Sequence, residues 1–555
     1  MRIAVTSTWG GGGWLQPLAE DGAPAGPAEH VTDLAAAVRD RERAHRPRWV
    51  WAATEQVYPA LLEAGVRVAR CHDLALVEAL LLAYTGRFGE PRSLGAAWAR
   101  LRGLPVPDDP RPGSREAQPA LFEPDRSGLP PGVTAIEAVR EVYAAQLRAL
   151  ATAEHPLRLL AAAESAGALA AAEMTHEGLP WRADVHDALL TELLGPRPPA
   201  GAPPARLAEL AARINAAFGG RRVNPDSPAQ VMRAFAAEGL SVPSTRSHVL
   251  RGVDHPAVPL LLEYKELSRL YTAHGWAWLD TWVKDGRFRP EYVVGGVVSG
   301  RWATRGGGAL QIPRALRRAV IADPGWVLVV ADAGQLEPRV LAALSGDRGL
   351  AEAAGTGDLY AALAATAFDG DRARAKIALL AAMYGQTSGE AGHLLGVLRR
   401  RFPDAVEYVE SAARAGEEGR LVRSRLGRTC PPPSAAWQEL VSGSGPDEAG
   451  ERRAGRAARS RGRFTRNFVV QASAADWALV LLAALRRRLA ALATGPHLVF
   501  FQHDEVVVHC PRPLAGEVTA AVAEAGAEAR RLVFGDTPVR FPLDTAAVDC
   551  YADAK

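Results

Sequence analysis

The sequence is poor in cysteine and in lysine, and it lacks a long uninterrupted apolar run. Its four cysteines in 555 residues lie far apart without a Cys-x-x-Cys pair, which argues against a disulfide framework and against a zinc ribbon. No apolar run is long enough to span a bilayer, and the start of the chain lacks the apolar core of a signal peptide. We therefore expect a soluble cytosolic protein, and the length predicts three or four structural units.

Arginine carries almost all of the positive charge, because lysine occurs only at positions 265, 284, 376 and 555. The net charge of +3 is too small to imply a polyanionic partner by itself. The distribution is uneven, however, and seven arginines are concentrated just before a long apolar helix predicted near the C-terminus: Arg452, Arg453, Arg456, Arg459, Arg461, Arg463 and Arg466. Contact with phosphate groups and a merely solvated loop are both open interpretations of this basic cluster.

Residues 1–103 combine strand and helix patterns and are predicted to form a small α/β unit. Strands are predicted at Ile3–Val5 and Trp49–Ala53, and an apolar helix over Leu74–Tyr84. Residues 104–132 are rich in proline and glycine and show little periodicity, so we interpret them as a linker.

Long helical patterns fill residues 133–288, with a break near His155-Pro156, and they suggest an elongated arm. The last of these helices is predicted to run from His255 to Asp280. From residue 289 onward, strand patterns return on both sides of a helix-rich insertion at residues 350–470. We expect the strands that bracket this insertion to share one sheet.

Trp326–Leu344 is the stretch around which the rest of the chain is organised. Its valine-rich run from Val327 to Ala331 predicts a strand buried on both faces, which ends at Asp332. Gly334 is expected to turn the chain, and helical spacing follows from Gln335. A carboxylate at a strand end suits a metal site, although the same Asp332 could simply cap the following helix.

A second acidic position lies in the predicted hairpin Leu498–Cys510, where apolar strands flank a tight polar turn with Asp504 at its tip. Two aspartates at strand ends of one sheet could share a pair of divalent cations, and oxygen ligands imply Mg²⁺ or Mn²⁺. Two such ions suit an in-line phosphoryl transfer. Taken alone, the sequence His-Asp-Glu is also common in ordinary turns.

Arg372, Lys376, Leu380 and Tyr384 recur every four residues, so on a helix they form one stripe. The cations occupy the first turns, where unpaired backbone N–H groups also favour an anion. This gradient suits a nucleoside triphosphate, with the phosphates near the start of the helix and the base and sugar further along. A surface helix with two solvated cations is the alternative.

Together, the segments around Asp332, Arg372 and Asp504 resemble, in order and spacing, the three polymerase motifs of the family A DNA polymerases, the DNA polymerase I type. Seven further segments are similar to segments of that family: 224–227, 243–245, 262–267, 299–304, 310–313, 426–428 and 463–471. The resemblance covers most of residues 165–555. It implies a multidomain α/β (α+β) protein with a right-hand polymerase fold, in which an RNase H-like domain of the exonuclease type precedes palm, fingers and thumb.

The resemblance also implies how the chain divides into domains. Residues 1–103 would be a degenerate 3′–5′ exonuclease-like domain, 104–132 a linker and 133–288 the thumb. The fingers would span 350–470, between the two parts of the palm at 289–349 and 471–555. On this alignment we expect no 5′-nuclease domain before the first unit.

Carried over position by position, the resemblance implies that Asp332 and Asp504 ligate two Mg²⁺ ions, with Mn²⁺ as an alternative, and that Glu505 assists beside them. Lys376 would act in catalysis and, with Arg372, would hold the triphosphate.

The implied nucleotide pocket further contains Leu380, Tyr384, Gln335, Glu337 and His503. Tyr384 would flank the nascent base pair, Gln335 and Glu337 would line the sugar side, and His503 would face the primer terminus. DNA near that terminus would be contacted by Arg301, Arg463, Asn467 and Gln471. The implied partners of this monomeric, nucleoid-associated enzyme are primer-template DNA and deoxynucleoside triphosphates.

Two departures from the family pattern affect the expected activity. Leu380 stands where the family carries Phe or Tyr, and a branched aliphatic side chain offers less ring surface for sugar discrimination. In the N-terminal unit, Thr6 and Thr8 stand where an Asp-x-Glu would be expected and Val57 where a second aspartate would be, so we expect proofreading to be lost and Asp73 to be structural. Besides a DNA-templated DNA polymerase, a single-subunit RNA polymerase and a catalytically silent DNA-binding relative are open alternatives.

Overall fold

The computed structural model describes residues 1–110, 128–305, 311–386, 389–443, 448–492 and 495–554. The chain forms two compact units. The first unit contains residues 1–176, 292–303 and 329–546, and the second unit contains the rest of the described chain. Two parts of the sequence predictions lie outside the described residues: positions 111–127 of the linker, and Leu310 of the 310–313 segment.

The first unit begins with a five-stranded sheet, whose strands follow the order β3-β2-β1-β4-β5. These strands are β1 Arg2–Ser7, β2 Gly13–Leu18, β3 Glu29–Val31, β4 Arg48–Trp51 and β5 Arg70–Asp73. The helices that accompany them are α1 Leu34–His45, α2 Thr54–Glu63, α3 Leu74–Tyr84 and α4 Leu94–Leu101. Because β1 pairs antiparallel with β2 and parallel with β4, this is the mixed α/β unit that the sequence predicts.

Two helices follow, α5 Ala135–Thr152 and α6 Leu157–Glu177, with the predicted break at Pro156 between them. The apolar face of α5, including Val139 and Tyr143, packs against Ala4 and Val50 of the N-terminal sheet. The sequence groups α5 with the arm at 133–288. In the structure the N-terminal sheet buries the apolar stripe of α5, and the first compact unit extends through residue 176.

The second unit consists mainly of helices: α7 Ala183–Leu194, α8 Ala205–Ala217, α9 Pro228–Ala237, α10 Ser247–Leu250, α11 Ala257–His274 and α12 Trp276–Trp282. A small sheet of order β6-β8-β7 joins them, with β6 Leu179–Pro180, β7 Val283–Lys284 and β8 Arg287–Phe288. The single helix predicted at 255–280 is interrupted by Gly275, which has an extended backbone. A Cβ at Gly275 would lie 2.3 Å from the carbonyl oxygen of Tyr271, so only glycine fits this break.

The strands that bracket the helical insertion share one sheet, as predicted. Its order is β12-β13-β11-β14, with β11 Trp326–Ala333, β12 His497–Gln502, β13 Glu505–Pro511 and β14 Leu543–Val548. A separate two-stranded sheet contains β9 Glu291–Val293 and β10 Ala303–Arg305. The helices of this region are α13 Leu336–Ser345, α14 Arg348–Ala354, α15 Leu359–Ala367, α16 Arg372–Tyr384, α17 Gly389–Arg401, α18 Pro403–Glu417, α19 Ala435–Ser442, α20 Glu448–Leu489 and α21 Ala515–Phe534.

Helix α20 differs most from the sequence predictions. It is continuous over 42 residues, so the predicted boundary at 470/471 falls inside one helix. The basic cluster forms its first half, which makes the solvated-loop interpretation wrong. By length and composition α20 could cross a membrane, but 89% of its apolar window is buried in the protein, as in a core helix.

Candidate active site

Strand β11 brings Asp332 to one end of the four-stranded sheet. Val327 to Ala331 are buried, as predicted, and Asp332 is half-buried where the strand leaves the core. The N-cap residue of the following helix α13 is Gln335, whose side chain makes no capping hydrogen bond. Asp332 lies three residues before this position, so the interpretation of Asp332 as the N-cap residue is wrong.

The turn between β12 and β13 consists of His503 and Asp504, as the sequence predicts. Strand β13 lies next to β11 in the sheet. The backbone N–H of Ala333 donates a hydrogen bond of 3.0 Å to the carbonyl oxygen of Asp504. This bond joins the two backbone segments that carry Asp332 and Asp504, so the structure brings these residues together at one end of the sheet.

Two residues beside these aspartates hold left-handed backbone conformations although they are not glycine. Gln335 has φ +58° and His503 has φ +57°. Such a conformation costs about 1 kcal/mol or more and is common at functional sites. The turn after β11 contains Gly334, as the sequence predicts, and Gln335 is its left-handed residue.

Asp332 and Asp504 supply two carboxylates, while Glu505 is buried below the turn. The described residues contain no group of three or more His, Cys, Asp or Glu side chains that could hold a metal ion. Mg²⁺ in phosphoryl-transfer sites is commonly held by one or two carboxylates, with substrate phosphates and water as the other ligands. The two aspartates fit this pattern, in which the substrate completes the coordination.

Glu337 connects two other predicted site residues. Its carboxylate pairs with the guanidinium of Arg301 and accepts a hydrogen bond of 2.8 Å from the hydroxyl of Tyr384. Burial and the Glu337 charge raise the pKa of Tyr384, so the hydroxyl remains a donor at neutral pH. Partial burial and the charge of Arg301 lower the pKa of His503, so its imidazole is neutral at pH 7.

Asp358 links the strand end to the predicted triphosphate-binding helix. It accepts hydrogen bonds of 2.8 Å from Nε of Arg372 and 2.8 Å from the amide of Gln335. The side-chain oxygen of Gln335 in turn accepts from the backbone N–H of Leu359 at 2.9 Å. The guanidinium of Arg372 also lies 5.5 Å from the ring centre of Tyr360. Arg372 is thus held through Nε, which leaves its terminal nitrogens for a phosphate.

Burial of Asp358 would raise its pKa, but the hydrogen bonds from Arg372 and Gln335 outweigh that effect and lower the pKa to about 2. The carboxylate is therefore ionised under any ordinary assay condition. Sequence reasoning missed Asp358 and Tyr360. The available signal was the position of Asp358 directly before an apolar helical run, which predicts only a helix cap, and Asp358 does cap α15.

If helix α16 binds a nucleoside triphosphate, as the sequence predicts, Asp358→Asn should raise the KM for that nucleotide about fivefold and leave kcat nearly unchanged, since an exposed ion pair contributes up to about 1 kcal/mol. Asparagine can still cap α15 but loses the charge that orients Arg372. Steady-state kinetics of primer extension, the activity that the family resemblance implies, measure this effect. The matched control is Asp371→Asn, which alters the cap of α16. A lower KM in Asp358→Asn would instead mean that Asp358 competes with the nucleotide for Arg372.

Helix α16 presents Arg372, Lys376, Leu380 and Tyr384 on one face, as predicted. Arg372 and Lys376 are exposed, Leu380 is half-buried and Tyr384 is 39% exposed. The prediction that free N–H groups at the helix start attract an anion is wrong, because the Asp371 carboxylate accepts from the N–H groups of residues 373 and 374. On this face of the helix, the groups that could bind an anion are the side chains of Arg372 and Lys376.

Arg463, Asn467 and Gln471 follow one another at four-residue spacing on α20. Arg463 is exposed, and the other two are half-buried. The side chains of Asn467 and Gln471 interact with the hydroxyl of Tyr384. Three segments that are far apart in the sequence, namely β11 with α13, α16 and α20, thus meet around Glu337 and Tyr384.

Comparisons with known proteins point to one family. The family model described as DNA polymerase family A matches residues 203–546. The thermostable DNA polymerase I of Thermus filiformis is 31% identical over 306 residues, which cover 50% of this chain and 34% of that protein. DNA polymerase I of Chloroflexus aurantiacus is 27% identical over 284 residues, covering 46% of this chain and 28% of that protein. The chain spans about a third of the length of these curated relatives.

Among solved structures, the POL domain of Pol1 from M. smegmatis, in complex with a DNA primer-template and dNTP, has a similar fold. The TM-score is 0.71 at 19% sequence identity, and the match covers 100% of this chain and 95% of that chain. The similarity therefore includes the N-terminal sheet as well as the candidate site.

Proposed function

The chain belongs to DNA polymerase family A, and on this basis we propose that it is a DNA-templated DNA polymerase that adds deoxynucleotides to a primer 3′-hydroxyl. The main support for the proposal is that Asp332 and Asp504 lie at the same end of the sheet, where a backbone hydrogen bond from Ala333 to Asp504 joins their two segments. The link from Gln335 through Asp358 to Arg372 then connects this sheet end to the cationic face of α16.

In this proposal Asp332 and Asp504 would hold two Mg²⁺ ions, which supply charge neutralisation and polarise the reacting oxygens of a phosphoryl transfer. Arg372, oriented by Asp358, and Lys376 would bind the triphosphate and offset the charge that develops on it. The chain's remaining contribution is to position the reactants.

The base and sugar of the nucleotide would lie between Leu380, Tyr384 and the Glu337 carboxylate. Because Glu337 already accepts a hydrogen bond from Tyr384, the ring of Tyr384 is oriented before the nucleotide arrives. His503 would meet the primer terminus, and Arg301, Arg463, Asn467 and Gln471 would contact DNA near it.

We assign the fold to the right-hand architecture, with the four-stranded sheet as the palm, the helices from α14 to the first half of α20 as the fingers, and the helical second unit as the thumb. The N-terminal sheet would be the RNase H-like domain, with α5 packed on it. Primer-template DNA and deoxynucleoside triphosphates would be the partners of a monomeric enzyme in the cytosol, associated with the nucleoid.

We also propose that the N-terminal domain does not proofread. Asp73 is buried and accepts hydrogen bonds from the backbone N–H groups of Thr54 at 2.7 Å and Leu76 at 2.9 Å, which supports a structural role. Val57 is part of the apolar core. Thr6 and Thr8 offer hydroxyl groups where a two-metal nuclease needs carboxylates.

Primer extension by the purified protein, with all four deoxynucleotides and with one withheld, tests the proposal. We expect Mg²⁺-dependent extension that stops at the withheld base, without shortening of the primer. Synthesis from ribonucleotides without a primer would indicate an RNA polymerase. DNA binding without extension in Mg²⁺ or Mn²⁺ would indicate a silent relative, and either result would overturn the proposal.

A further inference from the structure

A buried ion triad joins helix α6, helix α20 and the loop before α19. Nε of Arg428 donates to Asp476 of α20 at 2.8 Å, and Nη2 of Arg428 lies 2.6 Å from Oε1 of Glu164 on α6. The three side chains are at most 8% exposed. The hydroxyl of Ser424 donates to the second oxygen of Asp476 at 2.5 Å and accepts from the backbone N–H of Arg428 at 2.9 Å. We call Glu164, Arg428 and Asp476 the buried triad.

Stability alone does not account for such a group of charges. Burying ions removes their hydration, and their mutual attraction often does no more than offset that loss. Apolar side chains of the same volume would hold α6 against α20 at least as well. We therefore looked for what the buried triad supports.

The connection between β9 and β10, residues 294–302, lies against the buried triad through two glycines with left-handed backbones. Gly300 has φ +85°, and a Cβ there would lie 2.3 Å from Nε and 2.4 Å from Cζ of Arg428. Gly295 has φ +63°, and a Cβ there would lie 3.6 Å from Oε1 of Glu164. The backbone at Gly300 thus rests directly on the guanidinium, with no room for a side chain between them.

Arg301 follows Gly300 directly and belongs to the same tight turn. The backbone N–H of Gly300 donates to the carbonyl oxygen of Val297 at 2.7 Å, and the N–H of Val297 donates to the carbonyl oxygen of Arg301 at 3.0 Å. The side chain of Arg301 pairs with one oxygen of Glu337, whose other oxygen accepts from the hydroxyl of Tyr384. A shift of Gly300 would therefore move Arg301 and, through Glu337, the Tyr384 hydroxyl.

A second contact holds the connection from its other side. Trp302 is buried, and its ring meets the edge of Phe501 on β12 at 5.0 Å between ring centres. Because of this anchor, we expect the connection to stay folded when its contact with Arg428 changes. Arg428 then determines where the turn lies and not whether it forms.

We propose that Arg428, held by Glu164 and Asp476, is a positioning residue for Arg301 in primer extension. This inference rests on the proposed polymerase function, in which Arg301 contacts DNA near the primer terminus. The two carboxylates fix the guanidinium from two helices, and the guanidinium fixes the backbone of Gly300. Such support matters because a displacement of about 1 Å in an active site can cost about 10²-fold in rate.

The test replaces Arg428 with lysine in the full-length chain. Lysine keeps the positive charge between the two carboxylates, but it lacks the planar fork that reaches both of them and supports Gly300. We expect the single-turnover rate of primer extension at saturating deoxynucleotide to fall about tenfold. In an Arg301→Ala background, which itself should be slowed at least about tenfold, Arg428→Lys should change the rate by less than about twofold, because its effect passes through Arg301.

Arg486→Lys is the matched control for a merely structural role. Arg486 is also a buried arginine, and it donates to Glu173 at 2.8 Å and 2.7 Å near the C-terminal end of α20. Its replacement should lower the thermal midpoint as Arg428→Lys does, but it should leave the extension rate at the wild-type value. Circular dichroism at the assay temperature verifies that each variant is folded.

Gly300→Ala tests the same contact without changing a charge, and it decides the question if Arg428→Lys does not fold. Its methyl group would collide with Nε of Arg428, so the rate should again fall about tenfold, and by less than about twofold in the Arg301→Ala background. The control is Gly325→Ala. Gly325 has a similar φ of +81°, but a Cβ there would have nothing within 4 Å, so this variant adds backbone strain without a collision and should extend at the wild-type rate.

Three results would overturn the inference while extension by the wild type still supports the proposed function. Losses that multiply in the double variants would mean that Arg428 acts independently of Arg301. A wild-type rate in Arg428→Lys or in Arg301→Ala would mean that the turn needs no such support. Equal rates in Gly300→Ala and Gly325→Ala would mean that the contact with Arg428 has no effect. If the wild type does not extend a primer, the proposed function fails and this inference fails with it.

Discussion

Replacing Asp332 or Asp504 with asparagine should abolish primer extension, with a loss of about 10³-fold or more in kcat. Asparagine keeps the volume and one side-chain oxygen but removes the negative charge that would hold a divalent cation. A 10³-fold loss corresponds to about 4 kcal/mol of transition-state stabilisation. Single-turnover extension on saturating primer-template measures the effect.

Duplex binding separates a catalytic role for the two aspartates from a structural one. Because neither substitution removes a cationic side chain, we expect the Kd for primer-template to stay within about twofold of wild type. The control is Asp536→Asn, an exposed aspartate after α21, which should leave kcat unchanged. Extension by either site variant at a tenth of the wild-type rate or faster would exclude these aspartates as the metal ligands.

Arg486→Met should destabilise the protein by about 3–5 kcal/mol, because it removes the cation that donates to the buried Glu173 carboxylate. Arg486, at the end of α20, donates to Glu173 of α6 at 2.8 Å and 2.7 Å. It also donates to the carbonyl oxygens of Val68 at 2.5 Å and Ala69 at 2.9 Å, just before β5. This one side chain therefore ties the N-terminal sheet to the helix that carries Asn467 and Gln471. Urea unfolding followed by circular dichroism measures the loss.

The neighbouring Arg487 provides the control, since its side chain is 65% exposed and pairs with Glu528. Arg487→Met should cost less than about 1 kcal/mol. If both substitutions cost the same, the Glu173 pair does not hold the N-terminal sheet in place.

The loss in Arg486→Met should also depend on pH. Burial alone would raise the pKa of Glu173, but Arg486 outweighs it and holds the pKa below the usual range. A depressed carboxyl pKa stabilises the fold above the unfolded value of about 4.3, and this contribution is lost as the pH falls through the folded pKa. The gap between wild type and Arg486→Met should therefore be full at pH 7 and narrow below about pH 4.

Local patterns in the sequence were sufficient to predict most elements of the candidate site. The apolar run before Asp332 and the turn at Asp504 depend on short-range periodicity, which can be recognised from neighbouring residues alone. The same is true of the four-residue spacing from Arg372 to Tyr384, and the structure has each of these elements at the predicted place. The catalytic and binding roles of these residues remain predictions.

Contacts between distant segments could not be predicted in this way. Asp358 looks in the sequence like any helix cap, and its bond to Arg372 exists only because α15 and α16 pack together. The Asp371 carboxylate caps α16 and so removes an anion site that helix geometry alone suggests. From the sequence the basic cluster could contact phosphate groups or be a solvated loop, and the structure makes it part of a helix that packs on α18 and α19.

By itself, the sequence determined the family of this protein, the elements that carry Asp332, Asp504 and the α16 stripe, and the carboxylates and cations available for chemistry. These follow from residue type and local spacing, which act over a few residues. Only the tertiary structure decided that Asp332 lies outside the N-cap position of its helix and that Glu337 joins Arg301 to Tyr384. Those outcomes depend on which side chains meet when distant segments pack, and burial and hydrogen bonding between such segments have no signature in local spacing.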